Sequence, residues 1–327
     1  MLYGCLLMPV LVFGWDRTKA LQFLEARQQK WAEWKPAQKQ GGACISCHTG
    51  LPYLAARGAL AEKQASAMER DLVQGVKFRV LANPPIATLQ EVGAEAVLNL
   101  LTLSTRRKSE KEPLEEVDQL ALKRLWANQL PEGETKGSWT WINAELHPAD
   151  SEHSNYYGAA LAQLALSAYP VGADSGVVQL RNYLKREMEK QPLHHRLARI
   201  AFAAKQDKDA QAVVLRDLWA VQSSDGGWST AALGPWSKQE LAPLDSGSNA
   251  YATAWAAYTS RESGAGCSDQ RMKRALDWLE KHQDGETGAW NSVSMNKAHP
   301  EGSIQSKFMT DAATGYALAA LVGCRRE

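Results

Sequence analysis

A unit of two helices joined through a Gly-x-Trp loop occurs three times in this chain of 327 residues. Each copy contains a Leu-Trp or Trp-Leu pair, then a Gln, then the Gly-x-Trp triplet, and finally a helix rich in small residues. The Gln and the Trp of the triplet are Gln129 with Trp139, Gln222 with Trp228, and Gln283 with Trp290. Because one such unit cannot bury its apolar face alone, the repetition predicts helical pairs that stack against one another.

The remainder of the sequence is also typical of helices. Apolar residues recur at helical spacing nearly throughout, and no stretch alternates with the period of a strand. Residues 16–34 are predicted to form one helix, and helical pairs without the Trp signature fit near 60–103 and 174–204. With 45% apolar residues the chain can bury a large core. We therefore predict an all-α protein of about five helical hairpins with an N-terminal helical segment.

The three copies resemble the QW repeats of the squalene–hopene cyclase and prenyltransferase superfamily, over residues 113–327. The third copy is the most similar, from Arg274 through Gln283 to Trp290. The resemblance implies an α/α toroid whose inner helices line a central cavity, and whose Gln side chains tie helix ends beneath a stacked Trp. It does not imply the chemistry of the family, since the Asp-x-Asp-Asp motif is absent and neither Cys267 nor Cys324 has the surroundings of the zinc site.

A second motif, Cys44-Ile45-Ser46-Cys47-His48, has the C-x-x-C-H spacing of covalent haem attachment. This spacing places two sulfurs where they can form thioethers, and the next imidazole can bind the iron. A zinc site would need further ligands, and a thioredoxin-like pair would need a βαβ setting. The motif is identified as that of a c-type cytochrome with one haem c, held by Cys44, Cys47 and His48. The carbonyl of Pro52 is a candidate acceptor for the Nδ1 proton of His48.

The second axial position of the predicted haem iron is left open by the sequence. His194 begins a predicted inner helix and is the first candidate, although a polar residue at a helix start has the same pattern. Met68 is a weaker candidate because it lies within an apolar stripe, where methionine usually belongs to the core.

The two motifs together predict an exported monohaem cytochrome that transfers electrons to a redox partner protein. One alternative is a haem-dependent oxidoreductase acting on a hydrophobic or small organic molecule in the toroid cavity. Another is a non-catalytic binding module that the haem staples together. Whether the chain is an enzyme stays open at this stage. Lys plus Arg (37) balances Asp plus Glu (36), so no nucleic-acid partner is expected.

The sequence also predicts a division of the chain into three regions and a location outside the cytoplasm. Residues 1–14 contain an apolar run and are predicted to be a truncated signal peptide, which would allow membrane association only if retained or lipidated. Residues 15–112 are predicted to carry the haem, either apart from the toroid or within it, and residues 113–327 hold the repeats. The location is periplasmic or otherwise exported. Cys267 and Cys324 could form a disulfide if the fold brings them together.

Polar residues also recur at the starts of the predicted inner helices. They are Asn155, Tyr156 and Tyr157, then Asp245, Asn249 and Tyr251, and finally Lys307 and Asp311. Helix capping and loop anchoring explain most such residues, and a substrate pocket is the alternative.

Overall fold

The computed structural model describes residues 14–39, 42–60, 64–83, 86, 88–107, 111–172, 174–203, 207–236 and 246–324. Within these ranges the chain forms twelve α-helices that alternate between an outer and an inner layer. The outer helices are α1 (Arg17–Glu33), α3 (Ala67–Ala82), α5 (Glu116–Ala127), α7 (Ser175–Glu187), α9 (Lys208–Ala220) and α11 (Gln270–Lys281). The inner helices are α2 (Gly50–Leu60), α4 (Leu89–Ser104), α6 (Ser154–Leu166), α8 (Leu193–Ala203), α10 (Ala250–Glu262) and α12 (Phe308–Cys324).

The inner helices form a ring in which α4, α6, α8, α10, α12 and α2 follow one another. Their small residues are almost entirely buried, which permits close helix packing. The predicted all-α toroid is therefore confirmed. The described residues contain six helical pairs rather than about five, because α1 and α2 form a pair of their own. Two short antiparallel strands of two residues each, β1 (Gln38–Lys39) and β2 (Gly42–Ala43), precede α2.

The ring closes between the last repeat and the N-terminal segment. Gln283 Nε2 donates to the carbonyl of Asp16 at 2.9 Å, and the Asp16 amide donates to Gln283 Oε1 at 2.5 Å. Because Asp16 caps α1, this side chain joins both ends of the described chain. The segment with the C-x-x-C-H motif leads into α2, which packs against α12 in the ring of inner helices.

The other Gln residues of the repeats have the same role. Gln129 Nε2 donates to the Gly176 carbonyl at 2.8 Å, and Gln222 Nε2 donates to the Arg271 carbonyl at 2.9 Å. Each acceptor lies in the first turn of the next outer helix, where the side chain can bridge neighbouring pairs. The triplet Trp residues are fully buried, and Trp139 Nε1 donates to a helix-end carbonyl at 2.7 Å. These contacts confirm that the Gln and Trp residues are structural.

A disulfide joins Cys267, before α11, to Cys324 at the end of α12, with the two Cα atoms 5.4 Å apart. The open question of this pairing is therefore answered. Thr88 caps the start of α4, since its Oγ1 accepts from the Glu91 amide at 3.2 Å. Residues 1–13 of the predicted signal peptide lie outside the described residues. No helix within the described ranges is long and apolar enough to span a bilayer.

Candidate active site at the mouth of the toroid

The six inner helices point in the same direction, because inner and outer helices alternate along the chain. Their N-termini share one end of the toroid, which we call the mouth. The loops of the mouth contact one another: Asn296 accepts from the His147 amide and donates to its carbonyl, both at 2.7 Å. The His147 ring also lies 5.4 Å from the ring of Trp236. Loops from three different repeats thus meet over the central axis.

The C-x-x-C-H segment forms the turn that leads into α2 at the mouth. Ser46 Oγ accepts from the amides of Thr49 and Gly50, at 3.1 and 2.9 Å, and so caps this helix. Cys44 and Cys47 are reduced thiols and are partly buried. Burial raises the pKa of the Cys47 thiol, and the negative charges of Asp150 and Cys44 raise it further. The Cys47 thiol is therefore protonated at neutral pH.

His48 is held by aromatic rings and by a relay of hydrogen bonds. Its ring stacks on Phe308 with 3.6 Å between centroids, and Trp31 approaches it edge-on. His48 Nδ1 lies 3.1 Å from Thr49 Oγ1, and the Thr49 hydroxyl donates to Asp311 at 2.8 Å. Since Thr49 uses its proton on Asp311, Nδ1 must be the protonated nitrogen of His48. Burial and Arg27 lower the pKa of His48 to about 3, so the imidazole is neutral and Nε2 carries a lone pair.

The motif contains the donors that haem c needs, two reduced thiols and an imidazole whose Nε2 is unprotonated. The partner of Nδ1 is Thr49, while the carbonyl of Pro52 lies against Gly315. His194 is fully buried, and its Nε2 lies 2.7 Å from the Tyr251 hydroxyl. Met68 lies in the outer helix α3. No contact recorded among the described residues joins either of these two candidates to His48. The haem stays a prediction of the motif.

Tyrosines form a layer across the axis below the mouth. Tyr157 of α6, Tyr251 of α10 and Tyr316 of α12 are buried, and each interacts electrostatically with Cys47. Tyr157 and Tyr316 also hydrogen-bond through their side chains. Burial raises the pKa of all three phenols, so they are protonated hydrogen-bond donors. We call these three residues the tyrosine layer, and all three interact with Cys47, in the turn that leads into α2.

Asp150 is the acidic residue of the mouth whose pKa departs most from its ordinary value. Its backbone is fixed by a reciprocal pair of hydrogen bonds with Leu146, each 2.9 Å long. Burial raises the pKa of its carboxyl to about 7, and it interacts with the Cys47 thiol in front of it. No hydrogen bond to this carboxyl is recorded within the described part of the chain. A carboxyl with a pKa near neutrality can both give and take a proton, as a general acid or base must.

A polar groove of about 530 Å³ runs beside the loop of Asp150, at the N-termini of α10 and α12. Hydroxyl, amide and ammonium groups dominate its lining: Thr230, Asn249, Asn291, Ser292, Ser294, Ser306, Lys307 and Thr310. Buried Met295 also lines it, and the next residue, Asn296, holds the loop of Asp150. The groove and Asp150 therefore belong to connected loops. Of the polar residues noted at inner-helix starts, Asn249 and Lys307 line this groove, and Asp245 lies outside the described residues.

Buried histidines support the mouth from the side of α8. His147, His194 and His195 are at most 4% exposed, and each has a ring nitrogen without a recorded partner among the described residues. Burial is the largest cause that lowers the pKa of each, to about 3 for His195. These histidines are thus neutral in the folded protein.

We expect these histidines to make the protein sensitive to acid. A folded-state pKa below the ordinary value of 6.5 gives a stability that is complete above pH 6.5 and is lost as the pH falls below it. The urea midpoint should fall from pH 6.5 to about 4.5, and His195→Gln should reduce that slope. His282→Gln, at an exposed position after α11, is the control and should leave the slope unchanged. An equal slope in wild type and His195→Gln would contradict this explanation.

No protein-family model matches the sequence, and no curated protein matches it. Several solved structures do match the fold of this chain. A polysaccharide lyase superposes with a TM-score of 0.54 at 12% identity, over 94% of this chain and 96% of the other. A structure titled UGL with dGlcA-Glc-Rha-Glc gives 0.53 at 15% identity, over 94% and 96%. A glycosidase gives 0.51 at 11% identity, over 94% and 98%. At these identities the likeness establishes the fold alone.

The identification as a c-type cytochrome joined to squalene–hopene cyclase or prenyltransferase repeats is wrong. The similar structures include a polysaccharide lyase and a glycosidase, and no group of three or more metal-binding side chains occurs among the described residues. The three functions predicted from that identification are therefore also wrong: electron transfer, a haem-dependent oxidoreductase and a haem-stapled binding module. The physical reason is that the Gln and Trp contacts tie helix ends in a toroid whatever its chemistry. Likewise, the C-x-x-C-H motif describes how a haem could be attached to the chain, but it does not specify the reaction that the protein catalyses.

Proposed function

We propose that this protein is a carbohydrate-processing enzyme that binds a saccharide in the polar groove and cleaves it beside Asp150. The observation that carries the proposal is that Asn296, next to the groove residue Met295, hydrogen-bonds the backbone of His147 in the loop of Asp150, whose carboxyl is partly buried. Sugar hydroxyls both donate and accept hydrogen bonds, and the amide and hydroxyl groups of the groove match them. The similar structures, which include a polysaccharide lyase and a glycosidase, favour the same class of substrate.

Asp150 supplies the proton transfer in this proposal. At neutral pH a carboxyl with a pKa of about 7 is present in both protonation states. The protonated form gives its proton to the glycosidic oxygen as that oxygen leaves, so the departing sugar is released as an alcohol. In hydrolysis, water adds to the carbon that the oxygen has left and returns a proton to the carboxylate of Asp150. In elimination, that carboxylate takes a proton from a ring carbon as a carbon–carbon double bond forms. The product distinguishes the two reactions.

The binding half of the proposal is tested in the groove. Asn291 and Lys307 are exposed groove residues, so replacing both with Ala removes polar partners without opening the core. We expect the double variant to bind oligosaccharides at least tenfold more weakly than wild type by calorimetry, as two lost hydrogen bonds of roughly 1 kcal/mol each would give. Lys297→Ala, on the same loop but outside the groove lining, should bind like wild type. Equal affinities for all three proteins would contradict the site.

Export and covalent haem are separate proposals. The disulfide between Cys267 and Cys324 supports work in an oxidising compartment outside the cytoplasm. Haem c on Cys44 and Cys47 is supported by the motif and by the unprotonated Nε2 of His48. Such a group would supply redox chemistry, for which the proposed cleavage has no need. The predicted redox partner and the expected lack of nucleic-acid binding stay predictions.

The haem proposal has its own test. After export together with haem-attachment machinery, the denatured chain should carry the mass of one haem, because thioether bonds survive unfolding. The variant with Cys44→Ser and Cys47→Ser should lose that mass completely. The matched variant with Cys267→Ser and Cys324→Ser should keep it. An unmodified wild-type mass would end this proposal and leave saccharide cleavage unaffected.

A further inference from the structure

A second cavity, of about 550 Å³, lies at the end of the toroid opposite the mouth. Most of its lining residues come from the C-terminal halves of inner helices, among them Leu101, Leu161, Phe202 and Tyr258, while Leu51 and Leu54 come from the first half of α2. The lining is largely apolar. The cavity lies where α2 faces α4, a pair that packs less closely than the other inner neighbours. Its volume and apolar lining are those of small-molecule sites.

The tyrosine layer separates this cavity from the mouth. Tyr316 belongs to the layer, where it hydrogen-bonds Tyr157, and it also lines the cavity. The ring of Tyr316 stacks on Tyr258 with 5.2 Å between centroids. A molecule in the cavity would therefore contact the lower side of the layer while a saccharide occupied the other side.

The polar rim of the cavity is electrically balanced. Arg261 forms an ion pair with Glu262, and both line the cavity. Arg107, the other cation of the rim, donates to Asp118 at 3.2 Å and to the carbonyls of Ala168 and Glu112. The C-terminal ends of inner helices add partial negative charge. This balance disfavours an anionic head group, and the two guanidinium groups disfavour a cationic one.

The side chain of Arg261 lines this rim and stays 16% exposed, although its Nε is buried and has no acceptor among the described residues. A ligand hydroxyl can accept a hydrogen bond from an Nη group of Arg261 and can also donate its own proton to a carbonyl at a helix end. We propose that the cavity binds an uncharged amphiphile, with a long apolar chain against the leucines and tyrosines and a hydroxyl head at Arg261.

Gly58 of α2 provides a way to fill the cavity without disturbing its walls. It lines the cavity, and a Cβ added there would meet no heavy atom within 4 Å. Gly58→Leu should therefore occupy the space of the ligand chain. Gly75 of the outer helix α3 has the same open surroundings but does not line the cavity, so Gly75→Leu is a matched control. Both changes also replace glycine within a helix, which improves helix propensity equally.

The test is calorimetric titration of the full chain with decanol and with decanoate. We expect saturable decanol binding to wild type and to Gly75→Leu, at least tenfold weaker binding to Gly58→Leu, and at least tenfold weaker binding of decanoate to wild type. No saturable binding to wild type, equal binding to Gly58→Leu, or decanoate binding as tight as decanol would overturn the proposal. If circular dichroism shows that Gly58→Leu is unfolded, Ala55→Leu, another cavity residue, replaces it. Saccharide cleavage should be unchanged in these variants.

Discussion

Replacing Asp150 with Asn is expected to abolish saccharide cleavage and at the same time to stabilise the fold. An amide cannot transfer the proton, so turnover should fall by roughly a hundredfold to ten-thousandfold. Since burial raises the folded-state pKa of Asp150 to about 7, the charged carboxylate is unfavourable in the folded protein at neutral and alkaline pH. At pH 8 the amide should therefore increase the free energy of unfolding by roughly 1–3 kcal/mol.

The pH dependence separates this effect from a general change in packing. A carboxyl with a raised folded-state pKa loses stability as the pH rises from its ordinary value near 3.8 through about 7. The advantage of Asp150→Asn should thus shrink as the pH is lowered from 7 to 4, and urea unfolding measures it. Asp71→Asn, on the exposed side of α3, should change neither turnover nor stability. A variant at Asp150 that keeps wild-type turnover would remove this residue from the mechanism.

Replacing Arg27 with Ala is expected to have the largest effect on stability. Arg27 Nε donates to Asp311 at 2.6 Å, Arg27 Nη2 donates to the Ile304 carbonyl at 2.8 Å, and Asp311 is fully buried. Removing one partner of a buried ion pair leaves an uncompensated charge, which costs about 3–5 kcal/mol. The net effect of burial is to raise the pKa of Asp311 to about 6. Arg27 opposes this rise most strongly, and Thr49 and Lys307 oppose it less. The cost of the substitution should therefore be greatest at neutral pH and decrease toward pH 4.

A surface ion pair gives the comparison for this measurement. Lys190 contacts Glu187 at 2.9 Å with 69% of its side chain exposed, so Lys190→Ala should cost less than about 1 kcal/mol. Urea midpoints of the two variants and wild type, at pH 7 and pH 4, test both statements. A cost for Arg27→Ala no larger than that of the surface variant would show that Asp311 is stabilised by other groups.

The fold was largely predictable because its determinants are local and repeated. The spacing of Gln129, Gln222 and Gln283 from their Trp residues reports a contact between successive pairs, and the structure contains that contact three times. The sixth pair was missed because α1 and α2 carry no Gly-x-Trp triplet between them. Only the closed ring shows that the last Gln bonds to the first helix of the toroid.

The site was less predictable because its properties arise from long-range contacts. Asp150 lies in an unremarkable stretch, His147-Pro148-Ala149-Asp150-Ser151, and its raised pKa results from burial at the mouth. Thr49 was overlooked as the partner of His48, since its link to Asp311 joins residues 262 positions apart. One available signal was the recurrence of polar residues at inner-helix starts. Asn249 and Lys307 come from that set, and they line the groove.

Product analysis of oligosaccharides incubated with the 327-residue chain tests the proposed function most directly. Mass spectrometry should detect shortened saccharides from wild type, with the added mass of water for hydrolysis or without it for elimination. The same incubation with Asp150→Asn should give little or no product, while Asp71→Asn should match wild type. Intact substrate with wild type across neutral and acidic saccharides, or equal product from the Asp150 variant, would contradict a carbohydrate-cleaving site at the mouth of this toroid.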